Sequence, residues 1–125
     1  MKLFKKLGVL LICWLFASLS APVFSQTNVD ISSPGTLKNV AGIESVTELI
    51  ITGKIDARDI KFIRDSIPNL DTLDLSGATI VAYTGEGGTY PWGSNSYPAD
   101  EMPMYSFYNN STLTSVVLPD GVTSI

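Results

Sequence analysis

The chain is 125 residues long, carries a formal net charge of −4, and contains no histidine and one cysteine. Without histidine, Ser-His-Asp and Cys-His catalytic arrangements and histidine-based zinc sites are excluded. The acidic balance argues against nucleic acid and anionic membrane surfaces as partners, because both attract basic patches.

Residues 1–25 read as a secretory signal peptide. Lys2, Lys5 and Lys6 precede an apolar run from Leu7 to Leu19, and Val23 and Ser25 suit a peptidase cutting before Gln26. The run is shorter than the roughly 20 residues of a spanning helix, so the expectation is export, with no membrane insertion after cleavage. Cys13 follows Ile12 inside this run, which does not fit a lipoprotein signal. Cleavage leaves no cysteine, hence no disulfide, thiolate metal site or Cys nucleophile. The exported part keeps five basic residues against twelve acidic ones, a net charge of −7. It is long enough for one domain with a modest core.

Residues 26–33 are predicted as a short linker or a first edge strand. Ser33-Pro34-Gly35 offers a cap followed by proline, and the spacing of Leu37, Val40 and Ala41 predicts a short amphipathic helix over about 35–45. Together 26–45 form a linker and amino-terminal cap, since the first unit of a stack otherwise exposes its core. Val46 to Thr52 is β-branched and predicts a strand, with Gly53 as a turn. Asp56 is placed to cap a helix, with Asp59 near its positive end, and Ile60, Ile63 and Ile67 form one apolar stripe. Pro68 stops that helix.

Leu70 to Leu75 is a second strand and Leu113 to Leu118 a third. All three strands share one L-x-x-L-x-L outline, seen at Val46/Leu49/Ile51, Leu70/Leu73/Leu75 and Leu113/Val116/Leu118. Val46 to Leu70 spans 24 residues, a leucine-rich-repeat length, whereas Leu70 to Leu113 spans 43. The excess is assigned to an insertion at about 81–101, because Met102 to Ile125 restores a spacing of 23 with Ile125 at the position Ile80 holds. The insertion mixes Tyr83, Tyr90, Trp92 and Tyr97 with glycine, proline and serine, has neither helical nor strand periodicity, and predicts a long surface loop. Pro103 to Asn109 is predicted as one tight helical turn, with Tyr105, Phe107 or Tyr108 as apolar cover. The sequence stops on an apolar position in mid-repeat, so a fragment of a longer stack is expected. The fold class expected is α/β: a short leucine-rich-repeat solenoid over 46–125, with parallel strands on one face, short helices on the other and an amino-terminal helical cap.

Residues 46–80 resemble the amino-terminal unit of bacterial surface proteins with BspA-like leucine-rich repeats. The run from Ser106 to Ile125, ending Leu118-Pro119-Asp120-Gly121-Val122-Thr123-Ser124-Ile125, is similar to their standard repeat. It departs in having Ser106 where alanine is usual and Asn110 where cysteine is common. The resemblance implies an exported or cell-surface protein of Bacteroidetes-type bacteria, with adhesion in some members, and it fixes no catalytic residues.

In such a repeat the leucines point inward and the intervening residues form rows outside. The candidate ligand-binding residues are therefore Glu48, Ile50, Asp71, Thr72, Asp74 and Ser115 on the strand face, together with Tyr90, Trp92 and Tyr97 in the insertion. The competing reading of the aromatics is that they fold back and cover the flank of the stack. Asp71 and Asp74 fall on opposite pleat positions and do not make a carboxylate pair across a cleft. A Ca²⁺ site from Glu48, Asp71 and Asp74 lacks any ligand-loop motif. The expectation is a non-enzymatic, secreted or cell-surface module without cofactors or metals that binds a protein or glycan ligand. The alternative is a structural cap or spacer within a longer protein.

Overall fold

The structure is a computed structural model and describes residues 26–125. The expected signal peptide lies outside the described residues. The architecture is mixed α/β: a parallel sheet of four strands, one α-helix behind it, and a separate two-stranded antiparallel hairpin. None of the helices among the described residues is long and apolar enough to cross a membrane.

The sheet order is β1 (Gln26–Ile31), β2 (Glu48–Ile55), β3 (Thr72–Ile80) and β6 (Ser115–Val117), every pair parallel. The pairing stacks equivalent sequence positions. Thr27, Leu49, Leu73 and Val116 share one rung. Leu49, Ile51, Leu73 and Leu75 are fully buried, so the alternating apolar residues face the core as the pleat requires. Residues 26–31 are an edge strand rather than a linker, with Val29 and Ile31 buried against β2.

Two strands outrun their predicted ends. β2 continues through Gly53, which was expected to turn the chain. Gly53 has φ +91°, and a Cβ there would overlap the Ile31 carbonyl oxygen on β1, so only glycine lets the strand pass this point. β3 likewise continues through Ser76-Gly77 to Ile80. It absorbs one extra residue as a bulge, because Ile50 pairs with Asp74 but Thr52 pairs with Gly77.

The helix α1 (Ala57–Ser66) forms where the apolar stripe predicts it, and Ile60, Ile63 and Ile67 are each 1% exposed. Each such burial contributes about 1.5–3 kcal/mol. Asp56 accepts a hydrogen bond from the Arg58 N–H at 2.8 Å, and Asp59 reaches back to accept the Asp56 N–H at 3.0 Å, a reciprocal cap. Asp59 also accepts the N–H groups of Gly35 at 2.7 Å and Leu37 at 3.0 Å. One buried carboxylate therefore fastens the amino-terminal segment to α1.

That segment is not the helix expected over 35–45. Two 3₁₀ turns, Leu37–Asn39 and Ile43–Ser45, stand there instead, separated by an extended Val40 and a left-handed Gly42. Leu37 and Ile43 supply the buried cover that a helix stripe would have given. Pro103 to Asn109 is also not a helical turn. Its bonds close three-residue steps, Ser106 to Pro103, Tyr108 to Tyr105 and Asn110 to Phe107, with Tyr105 and Asn109 at positive φ.

The alignment of Ile125 with Ile80 does not hold in space. Asp100 donates its N–H to the Ile80 carbonyl at 3.0 Å, and Thr123 donates to Asp100 at 2.8 Å. Asp100 and Glu101 thus stand between Ile80 and the Thr123–Ser124 segment as an extra rung. Ile80 is 2% exposed and Ile125 is 90% exposed.

Candidate functional site

The strand face brings the sequence-predicted residues into two rows. Gln26, Glu48, Thr72 and Ser115 share one rung, and Asn28, Ile50, Asp74 and Val117 share the next but one. The rows combine polar and aliphatic side chains. The carboxylates of this face are partly engaged within the fold. Asp71 accepts the Thr114 hydroxyl at 2.6 Å, and Asp74 accepts the Ser76 N–H at 2.8 Å. The Ser76 hydroxyl, then the Ser76 N–H, holds the Asp74 carboxyl below the usual carboxylate range. Among the described residues no group of three His, Cys, Asp or Glu is placed to share a metal ion.

The segment between Ile80 and Asp100 is an ordered strap. Its hairpin pairs β4 (Tyr83–Gly85) with β5 (Asn95–Tyr97). Tyr83 and Tyr97 stack across it at 6.0 Å and 26°. Tyr97 is 3% exposed, and its ring lies where a Cβ of Gly88 would be. Its hydroxyl accepts the Tyr90 N–H at 2.8 Å. Tyr97 is therefore the strap's own packing residue, and its ring is closed to a ligand.

Two arginines of α1 hold the strap down. Arg58 lies 4.7 Å from the Tyr83 ring centroid and is paired to Asp56 at 2.6 Å. The hydrogen bond to Asp56 raises the Arg58 pKa above its already high ordinary value, against a lowering effect of burial. Arg64 has a side chain only 9% exposed and donates from Nη1 to the carbonyls of Thr89 at 2.8 Å and Tyr105 at 2.9 Å. The buried Thr89 hydroxyl donates to the Met104 carbonyl. The strap and the Pro103–Asn109 turns are thus joined through the Arg64 and Thr89 side chains.

This junction assembles an exposed aromatic patch. Tyr90 and Trp92 meet edge to face at 5.4 Å, Trp92 and Tyr105 at 5.6 Å, and Tyr105 and Tyr108 at 5.6 Å. Trp92 is 67% exposed, Tyr108 55% and Tyr105 37%. An apolar hollow of about 500 Å³ adjoins it, lined by Met102, Phe107 and Leu118 among others. Of the predicted aromatics, Tyr90 and Trp92 belong to the patch and Tyr97 does not. Of Tyr105, Phe107 and Tyr108, the alternatives for apolar cover of the stack, Phe107 fills that role, being half-buried against the core, and Tyr105 and Tyr108 join the patch. A regular helical turn does not account for their display. Tyr105 instead has φ +61°, a left-handed conformation that costs a non-glycine residue about 1–2 kcal/mol.

The patch can contact a flat ring or an apolar side chain through rigid rings with few rotatable bonds to order. The described residues around it include no paired catalytic groups. No protein-family model matches this chain, and no curated protein is significantly similar to it.

Proposed function

We propose that the chain is a secreted or cell-surface leucine-rich-repeat module of the BspA-like type, exported by its signal peptide. In this reading it binds a protein or glycan ligand and performs no catalysis. The parallel stacking of equivalent positions supports the repeat reading. The observation that carries the binding function is Trp92, which is 67% exposed and braced edge-on by Tyr90 and Tyr105 on a strap pinned by Arg64. A large ring held rigidly in solvent suits recognition, because little conformational entropy remains to be lost on contact. The test is a screen of the full chain against immobilised glycans and matrix proteins, repeated with Trp92→Ala. Binding that falls by about tenfold or more in the variant supports the patch. Binding that survives unchanged removes it.

A second reading, a cap or spacer without a ligand of its own, is favoured by the apolar surface beside β6. Met104, Tyr108 and Ile125 are all exposed there around the hollow. Such a surface fits another unit of the same repeat. A screen with no binding partner at all, together with a longer chain that buries these residues, supports it.

A further inference from the structure

A separate hollow of about 380 Å³ lies between the Gly35–Asn39 segment and α1 and reaches Gly87 of the strap. It is lined by Lys38, Arg58, Lys61, Phe62, Asp65 and Ser66. The five cations of residues 26–125 are Lys38, Lys54, Arg58, Lys61 and Arg64, and three of them meet here in a segment of net charge −7. Their commitments differ. Arg58 is engaged by Asp56 and by the Pro34 carbonyl. Lys38 and Lys61 carry no ion pair and no side-chain hydrogen bond among the described residues. Of the two carboxylates at the hollow, Asp59 is buried and filled by three backbone N–H groups. Asp65 is on the rim, paired with Arg64 at 2.7 Å.

We propose that this hollow is a binding site for an acidic saccharide unit. Lys38 and Lys61 hold the carboxylate or sulfate, the half-buried Phe62 carries the ring face, and Ser66 and the Asp65 carboxylate take ring hydroxyls. The volume lies at the lower end of small-ligand sites, room for a sugar ring rather than a macromolecular surface. Two lysines without partners act as point charges toward a single oxyanion. The Asp65 carboxylate beside them disfavours a ligand of several charges, such as a nucleotide or polyphosphate, and accepts hydroxyl donors that a sugar supplies and an inorganic anion does not. The hollow shares no residue with the Trp92 patch and stands or falls independently of it.

The test is calorimetric titration of the full chain at low ionic strength with a uronic-acid disaccharide, a sulfated disaccharide and a neutral disaccharide of equal size, with adenosine monophosphate as a fourth probe. Saturable binding of either acidic sugar, about tenfold tighter than the neutral one, is expected, and the two acidic arms separate carboxylate from sulfate. The Lys38→Gln/Lys61→Gln double variant loses this preference. Lys54→Gln makes a like charge change at the exposed carboxyl-terminal end of β2 and shifts affinity by less than about twofold, a screening effect only. Urea denaturation of each variant confirms an unchanged fold. The proposal is overturned by no saturable binding of either acidic sugar, by equal binding of the neutral sugar, by tighter binding of adenosine monophosphate, or by a loss in Lys54→Gln equal to that in the double variant.

Discussion

The strand face and the α1 flank both present charged groups, but the two regions use them differently. On the strand face Glu48 and Asp74 project from a regular ladder beside the exposed Asp71, and the bonds that Asp71 and Asp74 accept come from neighbours in the same or the adjacent strand segment. On the flank, Asp59 binds residues 22 and 24 positions away, and Arg64 binds residues 25 and 41 positions away. The ladder would keep its shape without its exposed acids, because backbone hydrogen bonds and buried leucines hold it. The flank has no ladder. Its irregular segments are held by a few side chains that must be charged, oriented and shielded from water. Charge on the strand face is therefore dispensable to the ladder, whereas Asp59 and Arg64 on the flank build the architecture that displays the aromatics.

The sharpest way to break that comparison is to make one substitution in both places. Asp59→Ala leaves three backbone N–H groups without their acceptor at a site 1% exposed. It is expected to lower unfolding stability by about 3–5 kcal/mol. Asp71→Ala on the exposed strand face is expected to change it by about 0.5 kcal/mol. Urea denaturation of both variants measures the contrast, and equal losses would erase it.

Arg64→Met comes next. It keeps the apolar stem but leaves the Thr89 and Tyr105 carbonyls without their donor, at an expected cost of about 1–3 kcal/mol. Hydrogen exchange is expected to show the loss concentrated in the strap and the Pro103–Asn109 turns, with β2 and β3 still protected. Uniform loss of protection would show that the strap folds as one unit with the sheet.

Trp92→Ala is expected to change stability by no more than about 0.5 kcal/mol, because the ring is mostly in solvent, while ligand binding collapses. A large stability loss would make Trp92 a packing residue like Tyr97.

The smallest effect concerns Asp74. Its carboxyl is lowered by Ser76, so the folded state favours the ionised form. That contribution is fully present above the unfolded carboxylate value of about 3.9 and is lost as the pH falls through the lower folded value. A carbon-13 titration is expected to place Asp74 below the ordinary carboxylate value, and Ser76→Ala to move it back toward that value. An Asp74 titration at the ordinary value would show the Ser76 bonds to be absent in solution.

The regular parts of the fold were legible because their signal is periodic and local. Ile60, Ile63 and Ile67 announce the buried stripe of α1, Asp56 its cap, and Leu49 and Leu73 the shared rung of the sheet. The misreadings fell where a residue's role depends on something far away in sequence. Gly53 reads as a turn until β1 is seen to pass so close that only glycine fits. Leu37, Val40 and Ala41 have helical spacing, yet Asp59 captures the Gly35 and Leu37 N–H groups and Gly42 breaks the run. Tyr97 has the same exposed-loop surroundings as Trp92, and only the Tyr83 stack and the contact on Gly88 separate buried from displayed.

By itself the sequence determined the repeating strands, the capped helix and the acidic charge, because alternation, a 3.6-residue stripe and side-chain chemistry are properties of short stretches. Only the tertiary structure decided which aromatics face solvent, that Asp100 and Glu101 add a rung beside Ile80, and that Lys38 and Lys61 line one hollow with Phe62. Those outcomes depend on hydrogen bonds and close approaches between segments that no local pattern encodes.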